Sequence, residues 1–421
     1  MKNRFAICGT IVLLLLLSAC GAPQTLDFSY APEGEELSSL MVETSQTHRA
    51  ELEHVPSAAD FADAISDDPA SAGLLSESEV ESLLRGHAAM ETVSKEQAQS
   101  DVSLLFRTLQ SAYGAYEYFG QEKFDAAEDA VTQWLSSQDD EIKVSALGEK
   151  LQESLAFMLA HDAHAMIYEP AAEEIEAQVR YEYFFADGFY FSKDVNGSYY
   201  MVNDGERWTS SSFSDEHVSV QPTLLQDGRI VYQPTLFALR KDAVQSSVTL
   251  KNSSGKAKIY RLDWTESQPL DVDLGTLDYR LIQEDGLTYV SLRSFVSGTY
   301  DNMLARYARE GAKARGSKAV IYDLRGNVGG SDSWPRKWIQ SFLGTQNSIE
   351  TSMLYAQKNS ALFAAENSES LLPEDEGTCF AREVHGAWYE NDIPIIVLVD
   401  DHCGSSGEGA VQLLKTLDNV L

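Results

Sequence analysis

The hydrophobic pattern of the chain changes its period twice. Between residues 94 and 160, apolar residues recur at steps of three and four, the period of amphipathic helices. Ser94 and Gln97 have the spacing of a capping box, which predicts a helix start there. Three such segments predict a small helical bundle. Their apolar positions are Val102, Leu105, Leu109, Ala112 and Tyr116; then Phe124, Ala127, Val131, Trp134 and Leu135; then Leu147, Leu151, Leu155 and Met158.

From about 180 to 265 the pattern is typical of strands. Aromatic and β-branched clusters are separated by dipeptides that favour hairpin turns, because Gly and Asn tolerate positive φ. This region is predicted to be a β-rich middle domain. The turn dipeptides are Asp187-Gly188, Asn196-Gly197, Asp204-Gly205 and Asp227-Gly228.

After about 270, strand and helix patterns alternate, which predicts an α/β core whose parallel or mixed sheet is covered by helices. Ala319–Tyr322 and Ile395–Val399 read as strands buried on both faces, and Val420-Leu421 as the start of another. Further segments predict a strand over Leu287–Leu292 and helices over Tyr300–Gly311, Trp334–Leu343 and Gly407–Leu417.

The N-terminus has the pattern of an export signal. Lys2 and Arg4 precede an apolar run, Phe5–Leu17, that is too short to span a bilayer. LSACG over residues 17–21 resembles a bacterial lipobox, which predicts acylation of Cys20 and an extracytoplasmic protein held on the membrane by its lipid. The alternative is an ordinary cleaved signal with an incidental cysteine.

These patterns predict an α+β multidomain chain. Residues 21–92 are acidic and poor in aromatics, so they are expected to form a flexible stalk. The predicted segments are a lipoprotein signal peptide over 1–20, the stalk over 21–92, a helical domain over 93–170, the β-rich middle domain over 171–268 and the α/β core over 269–421.

Charge and cysteine content bear on which partners and cofactors the protein could bind. The formal charge is −33, and −35 without Lys2 and Arg4, so nucleic acid and anionic headgroups are not expected partners. Outside the signal and the lipobox the cysteines are Cys379 and Cys403, whose pairing the sequence leaves open. No His, Cys and carboxylate set has zinc spacing, so neither a metal nor another cofactor is expected.

Two loops at strand ends carry the candidate chemistry: DLRGNVGG over Asp323–Gly330 and DDHCGSSGEG over Asp400–Gly409. Ligands of α/β folds bind beyond the carboxyl ends of strands, where both loops lie. A serine at a tight strand-to-helix turn exposes its hydroxyl, and the N–H groups of the following helix favour developing negative charge. On these residues alone, a flexible Gly-Ser-Ser-Gly turn is an equal alternative.

The two loops resemble those of the tail-specific and tricorn-type serine peptidases. The helices that end in Asp162-Ala163-His164 are similar to the helical domain of this family, so the resemblance extends over about 94–421. It implies Ser405, three residues before Glu408, as the nucleophile. It also implies an oxyanion hole made by the N–H of Ser406 and that of Gly329 or Gly330. The expected substrate is a peptide or protein.

The resemblance offers two kinds of general base. Tail-specific members use a lysine a short way after the serine, but Lys415 lies ten residues along a helix, roughly 15 Å away. Tricorn-type members use a histidine of the N-terminal domain, which implies His164. The histidines that compete with this assignment are His161, one turn earlier, His385, in a loop without a motif, and His402, which we expect to shape the turn.

The resemblance also implies an orienting glutamate after the nucleophile helix. Because the sequence ends at Leu421, we expect this core to be incomplete and this chain itself to be inactive. Two other functions stay open: a non-catalytic peptide-binding lipoprotein, and a retinoid- or lipid-binding relative. Cys403 as a cysteine nucleophile is the weakest alternative, because neighbouring His402 and Cys403 side chains point apart on an extended chain.

Overall fold

A computed structural model of the protein describes residues 37–54, 56–85, 90–162, 164–167, 182–186, 188–203, 205–213, 218–225, 229–238, 247–266, 276–298, 300–400 and 402–421. One compact unit holds residues 37–40 and the described residues of 182–266, and a second holds those of 41–167 and 276–421. The signal segment and Cys20 lie outside these ranges. Within them, no helix has the length and apolar character needed to cross a bilayer.

Residues 37–85 correct the prediction of a flexible stalk, because most of them are folded onto the second unit. The N–H of Asn419 donates to Ser45 Oγ at 2.8 Å, and the Ser352 hydroxyl donates to the carbonyl of Leu52 at 2.6 Å. Met41 is 2% exposed, a burial that the composition of this segment could not supply by itself. The helices here are α1, Leu37–Glu53, and α2, Glu77–Arg85.

Residues 90–162 form the helical bundle that the period of three and four predicts. The side chain of Ser94 caps the first bundle helix and accepts the N–H of Gln97 at 3.2 Å. Phe124, Val131 and Leu135 are at most 1% exposed, and burying each such side chain contributes about 1.5–3 kcal/mol. The elements are β1, Thr92–Ser94; α3, Lys95–Ala112; α4, Tyr116–Phe119; α5, Gln121–Ser136; β2, Glu141–Lys143; α6, Val144–Ser154; and α7, Ala156–Leu159.

In the residues that the structure describes, the strands of the first unit form two antiparallel sheets. Asn196-Gly197 makes a predicted turn, with Gly197 at a φ of +79°. Residues 187, 204, 227 and 228 of the other predicted turns lie outside the described ranges. The strands are β3, Glu182–Ala186; β4, Ser192–Lys193; β5, Tyr199–Asn203; β6, Glu206–Phe213; β7, Val218–Leu224; β8, Ile230–Ala238; β9, Ser247–Asn252; β10, Ala257–Arg261; and β11, Trp264–Glu266. Their orders are β10-β9-β6-β5-β4 and β11-β3-β8-β7.

Residues 280–421 form the predicted mixed sheet with helices. The elements are β12, Arg280–Glu284; β13, Leu287–Ser291; α8, Asp301–Ala314; β14, Ala319–Asp323; α9, Ser333–Leu343; β15, Met353–Lys358; α10, Ala361–Glu366; β16, Cys379–Val384; β17, Ile395–Leu398; and α11, Ser406–Leu414. The sheet order is β12-β13-β14-β17, with the first pair antiparallel and the others parallel. The protein is thus a multidomain α+β protein.

Strand β17 departs from the expected burial on both faces. Ile395 is fully buried, whereas residues 396–398 are half-buried. β17 is the last strand of the described sheet, and its outer edge pairs with the short segment 419–421. Ile395 N–H donates to the Asn419 carbonyl at 2.8 Å, and Leu421 N–H donates to the Ile395 carbonyl at 2.9 Å. This parallel pairing is the strand start that Val420-Leu421 predicts.

The helices α8 and α9 pack closely against each other and β14. A Cβ on Gly311 of α8 would lie 2.3 Å from the Trp338 carbonyl oxygen, so this crossing requires glycine. Trp338 is fully buried and makes an edge contact with Tyr322 of β14, with ring centroids 4.8 Å apart. This dense packing holds β14, and with it the loop that follows, in a fixed position.

Candidate active site

The two predicted loops lie side by side because β14 and β17 are parallel neighbours. The glycine loop, Asp323–Gly330, follows β14, and the serine loop, Asp400–Glu408, follows β17. The N–H of Gly326 donates to Asp400 Oδ1 at 2.7 Å, and the N–H of Gly404 donates to the Asn327 carbonyl at 2.9 Å. Hydrogen bonds therefore join the two loops on the N-terminal side of Ser405.

Asp323 anchors the start of the glycine loop. Its carboxylate is fully buried and accepts from Arg293 at 3.1 Å, Arg325 at 2.9 Å and the Tyr289 hydroxyl at 2.7 Å. Burial raises the pKa of Asp323, but these hydrogen bonds outweigh it and hold the pKa well below its usual range. The carboxylate therefore stays charged and keeps the loop in place.

Arg293 is a part of this anchor that the sequence analysis missed. It follows β13 and donates to the carbonyl of Arg325 at 2.6 Å, besides its ion pair with Asp323. It is 4% exposed, and buried arginines need such partners. Its position in the sequence could have identified it, because Arg293 comes just after a strand that runs parallel to the strand ending in Asp323.

Ser405 has an uncommon backbone conformation at the turn from β17 into α11. Its φ is +53° and its ψ is −121°, a region that costs a non-glycine residue about 1–3 kcal/mol. Its N–H donates to the carboxylate of Glu408, in the first turn of α11, at 3.2 Å. Ser405 is exposed, whereas Ser406 is 5% exposed. The turn thus presents the first serine to solvent and buries the second.

The glycine loop approaches Ser405 at a distance that excludes any side chain. A Cβ on Gly329, whose φ is +103°, would lie 2.5 Å from Ser405 Cβ and 3.0 Å from Oγ. A Cβ on Gly330 would lie 2.1 Å from the carbonyl carbon of Phe295. Both glycines of the motif are therefore needed for the loop to lie against its neighbours.

The two glycines differ in the use of their N–H groups. The N–H of Gly329, which is buried, donates to Asn327 Oδ1 at 3.0 Å. Gly330 is exposed, and among the described residues its N–H and that of Ser406 donate to no acceptor. Free N–H groups at a helix start and on a neighbouring loop can stabilise an oxyanion.

His164 lies at the end of the helical bundle and is exposed. Its N–H donates to Asp162 Oδ1 at 2.9 Å, and Asp162 Oδ2 accepts the Tyr113 hydroxyl at 2.8 Å. Among the residues that the structure describes, His164 forms no hydrogen bond with Ser405. Asp162 and His161 also border a cavity of about 590 Å³ with aromatic walls. The structure therefore fixes the turn before His164 without bringing its imidazole onto the serine.

The other candidate side chains lie in different surroundings. Lys415 forms an ion pair with Glu51 at 2.6 Å, which agrees with its rejection as the base. His385 Nε2 lies 3.9 Å from the carboxylate of Glu383, and the imidazole is largely exposed. The N–H of His402 donates to Asp400 Oδ1 at 3.2 Å, as expected for a residue that shapes the turn.

The two cysteines Cys379 and Cys403 are free thiols. Burial, helped by the charges of Asp400 and Glu408, raises the pKa of Cys403 to about 12. A thiol with such a pKa carries almost no thiolate near neutrality and is a poor nucleophile. This agrees with the low rank of Cys403 as a nucleophile.

The comparison with protein-family models agrees with these loops. The family model of peptidase family S41 matches residues 286–421, which include both loops and Ser405. Curated proteins give no significant match. A solved structure, the photosystem II D1 C-terminal processing protease, aligns with 12% identity over 77% of this chain and 80% of that one, at a TM-score of 0.26. The match to the family model confirms the resemblance to the tail-specific serine peptidases, and residues 286–421 of this chain form a peptidase family S41 domain of the serine type.

Proposed function

We propose that this protein is an extracytoplasmic endopeptidase that cleaves peptides or proteins through an acyl-enzyme on Ser405. The observation that supports this best is the arrangement around Ser405: an exposed hydroxyl on a strained turn, in contact with a glycine loop, beside free N–H groups. Strain at such a turn is common at functional sites, where the surrounding structure enforces it.

In the proposed reaction, Ser405 Oγ attacks the carbonyl carbon of the scissile bond and passes its proton to His164. The carbonyl oxygen becomes negative and accepts hydrogen bonds from the N–H groups of Ser406 and Gly330. Collapse of this intermediate expels the amine, which takes the proton from His164. Water then hydrolyses the acyl-enzyme with the same base.

Gly330 is a better candidate than Gly329 for the second oxyanion donor. The N–H of Gly329 already donates to Asn327 Oδ1. To bind an oxyanion it would have to give up this buried hydrogen bond, which costs free energy. His164 must approach Ser405 once substrate is bound, since general bases act at roughly 2.6–3.2 Å.

A fluorophosphonate probe tests the nucleophile in the full-length protein, including any residues that follow Leu421. Ser405→Ala is expected to abolish labelling, whereas Ser406→Ala retains most of it because its backbone N–H is unchanged. Labelling that survives Ser405→Ala, or that maps to Ser406 or Cys403, would refute this assignment.

His164→Ala tests the base, with His161→Ala, at the neighbouring exposed histidine, as a matched control. We expect the labelling rate to fall about 10²–10⁴-fold in the first variant and to stay near that of the wild type in the second. Equal rates in the two variants would exclude His164.

The second candidate function is that of a peptide- or lipid-binding lipoprotein which retains the peptidase fold. The lack of a hydrogen bond between His164 and Ser405 in the described structure favours it. It predicts a folded protein that binds peptides but neither reacts with fluorophosphonates nor cleaves substrate. Binding and labelling measured on one sample separate the two functions.

We also propose that Cys20 is acylated and anchors the protein to the membrane. The sequence around Cys20 supports this, and one acyl chain contributes about 0.8 kcal/mol per buried CH₂. Metabolic labelling with a fatty-acid analogue is expected in the wild type and absent in Cys20→Ser. A labelled Cys20→Ser protein would exclude this site.

A further inference from the structure

The side chain of Asn327 links the glycine loop to the strand that lies beneath it. Asn327 is fully buried. Its Nδ2 donates to the carbonyl of Leu292 at 2.8 Å, and its Oδ1 accepts the N–H of Gly329 at 3.0 Å. One amide group therefore satisfies an acceptor at the end of β13 and a donor in the loop. Neither a carboxylate nor an apolar side chain can do both.

The backbone of Asn327 contacts the serine loop. Its carbonyl accepts the N–H of Gly404, the residue before Ser405, at 2.9 Å. A Cβ on Gly407 would lie 2.7 Å from the same oxygen, so the first turn of α11 is packed against it. Asn327 thus holds the glycine loop to the serine loop together with the hydrogen bond from Gly326 to Asp400.

The hydrogen bond made by the N–H of Gly329 leaves the N–H of Gly330 as the one that can bind a ligand. Because Asn327 binds the N–H of Gly329, that peptide plane is fixed, and the N–H of Gly330, an exposed residue, has no acceptor in the described structure. If Oδ1 of Asn327 were removed, the buried N–H of Gly329 would lose its acceptor. Rotation of the loop that gave this N–H another acceptor would then be favoured. A lost partner for a buried donor costs about 1–3 kcal/mol.

We propose that Asn327 is the positioning residue of the oxyanion hole. It takes the N–H of Gly329 out of the reaction, leaves that of Gly330 to bind the oxyanion, and holds the glycine loop in contact with Ser405. Asn327 itself touches no reacting atom. The inference rests on the proposed function of Ser405 and Gly330, and it assigns the selection between Gly329 and Gly330 to one side chain.

Asn327→Ala is the test variant, and Asn391→Ala is its matched control. Asn391 is also buried, at 8% exposure, and its amide makes three bonds: Nδ2 donates to the carbonyls of Ile393 at 2.7 Å and Asp418 at 2.8 Å, and Oδ1 accepts the N–H of Ile393 at 3.1 Å. Both variants lose buried amide hydrogen bonds, but Asn391 lies away from the two loops. A general loss of stability should therefore affect both alike.

The first readout is the rate of fluorophosphonate labelling at Ser405 in the full chain, corrected for the folded fraction at the assay temperature. Removal of one oxyanion donor costs about 10²–10³-fold in rate. We expect a loss of that size in Asn327→Ala and a rate near that of the wild type in Asn391→Ala. Equal corrected rates in the two variants would overturn the proposal.

The second readout does not need a reactive serine. In ¹⁵N-glycine-labelled protein, the amide of Gly329 should exchange with solvent slowly and that of Gly330 quickly, and both should exchange quickly in Asn327→Ala. A Gly329 amide that stays protected in Asn327→Ala would show that Asn327 does not position the loop, whatever the reactivity of the protein. If Ser405 proves unreactive, the proposed function fails, and the exchange data still decide the role of Asn327.

Discussion

Gly329→Ala is the substitution that tests the site geometry most directly. The new Cβ would lie 2.5 Å from Ser405 Cβ and 2.9 Å from the carbonyl oxygen of Gly404. Non-bonded carbons require about 3.5–4.0 Å, so the glycine loop and the serine must separate by about 1 Å or more. The φ of +103° at Gly329 adds a backbone cost of about 1–3 kcal/mol for alanine.

Both effects convert into measurable quantities. A displacement of 1 Å at a reacting centre can lower the rate about 10²-fold, so we expect at least that loss in fluorophosphonate labelling. A destabilisation of 1–3 kcal/mol corresponds to a fall in Tm of roughly 2–12 °C, at about 2–4 °C per kcal/mol for domains of this order of size. Labelling kinetics and calorimetry measure the two effects separately.

Gly404→Ala is the control for this prediction. Gly404 adjoins Ser405, but its φ is not positive and a Cβ there meets nothing within 4 Å. We expect its labelling rate and Tm to stay near those of the wild type. A Gly329→Ala protein that reacts as fast as Gly404→Ala would refute the close approach of the two loops.

Three further predictions follow from buried groups. Because the pKa of Cys403 is raised to about 12, iodoacetamide at pH 8 should hardly alkylate it in the native protein, and Cys403→Ala should keep its labelling at Ser405. Burial raises the pKa of Glu310, but hydrogen bonds, with that from Lys313 the strongest, lower it to about 2, so its stabilisation is complete above about pH 4.5. The excess unfolding free energy of the wild type over Glu310→Gln should therefore shrink as the pH falls from 4.5 towards 2; a constant difference would contradict this. Lys358→Met should cost about 3–5 kcal/mol, because the buried Nζ binds the half-buried carboxylate of Glu117 at 2.6 Å, and adding Glu117→Leu should recover most of it in urea unfolding.

The sequence alone was sufficient for the elements whose pattern is local. The capped start of α3 depends on Ser94 and Gln97, three residues apart, and the helices and strands of the α/β core follow from periodic apolar positions. The two loops were identified because their glycines and serines follow strands that read as buried, which in an α/β fold places them at one edge of a sheet. These signals involve residues that are close together in the sequence, so they can be recognised without the structure.

The tertiary structure decided what depends on partners distant in the chain. Residues 37–85 lack the apolar content for a core of their own, and they fold because groups more than 280 residues later supply hydrogen bonds, such as that from the backbone N–H of Asn419 to Ser45 Oγ. Likewise, the choice between Gly329 and Gly330 depends on which N–H faces Asn327, a matter of loop conformation that identical residue types cannot reveal. Composition measures what a segment contains, whereas burial and hydrogen bonding depend on what the rest of the fold places against it.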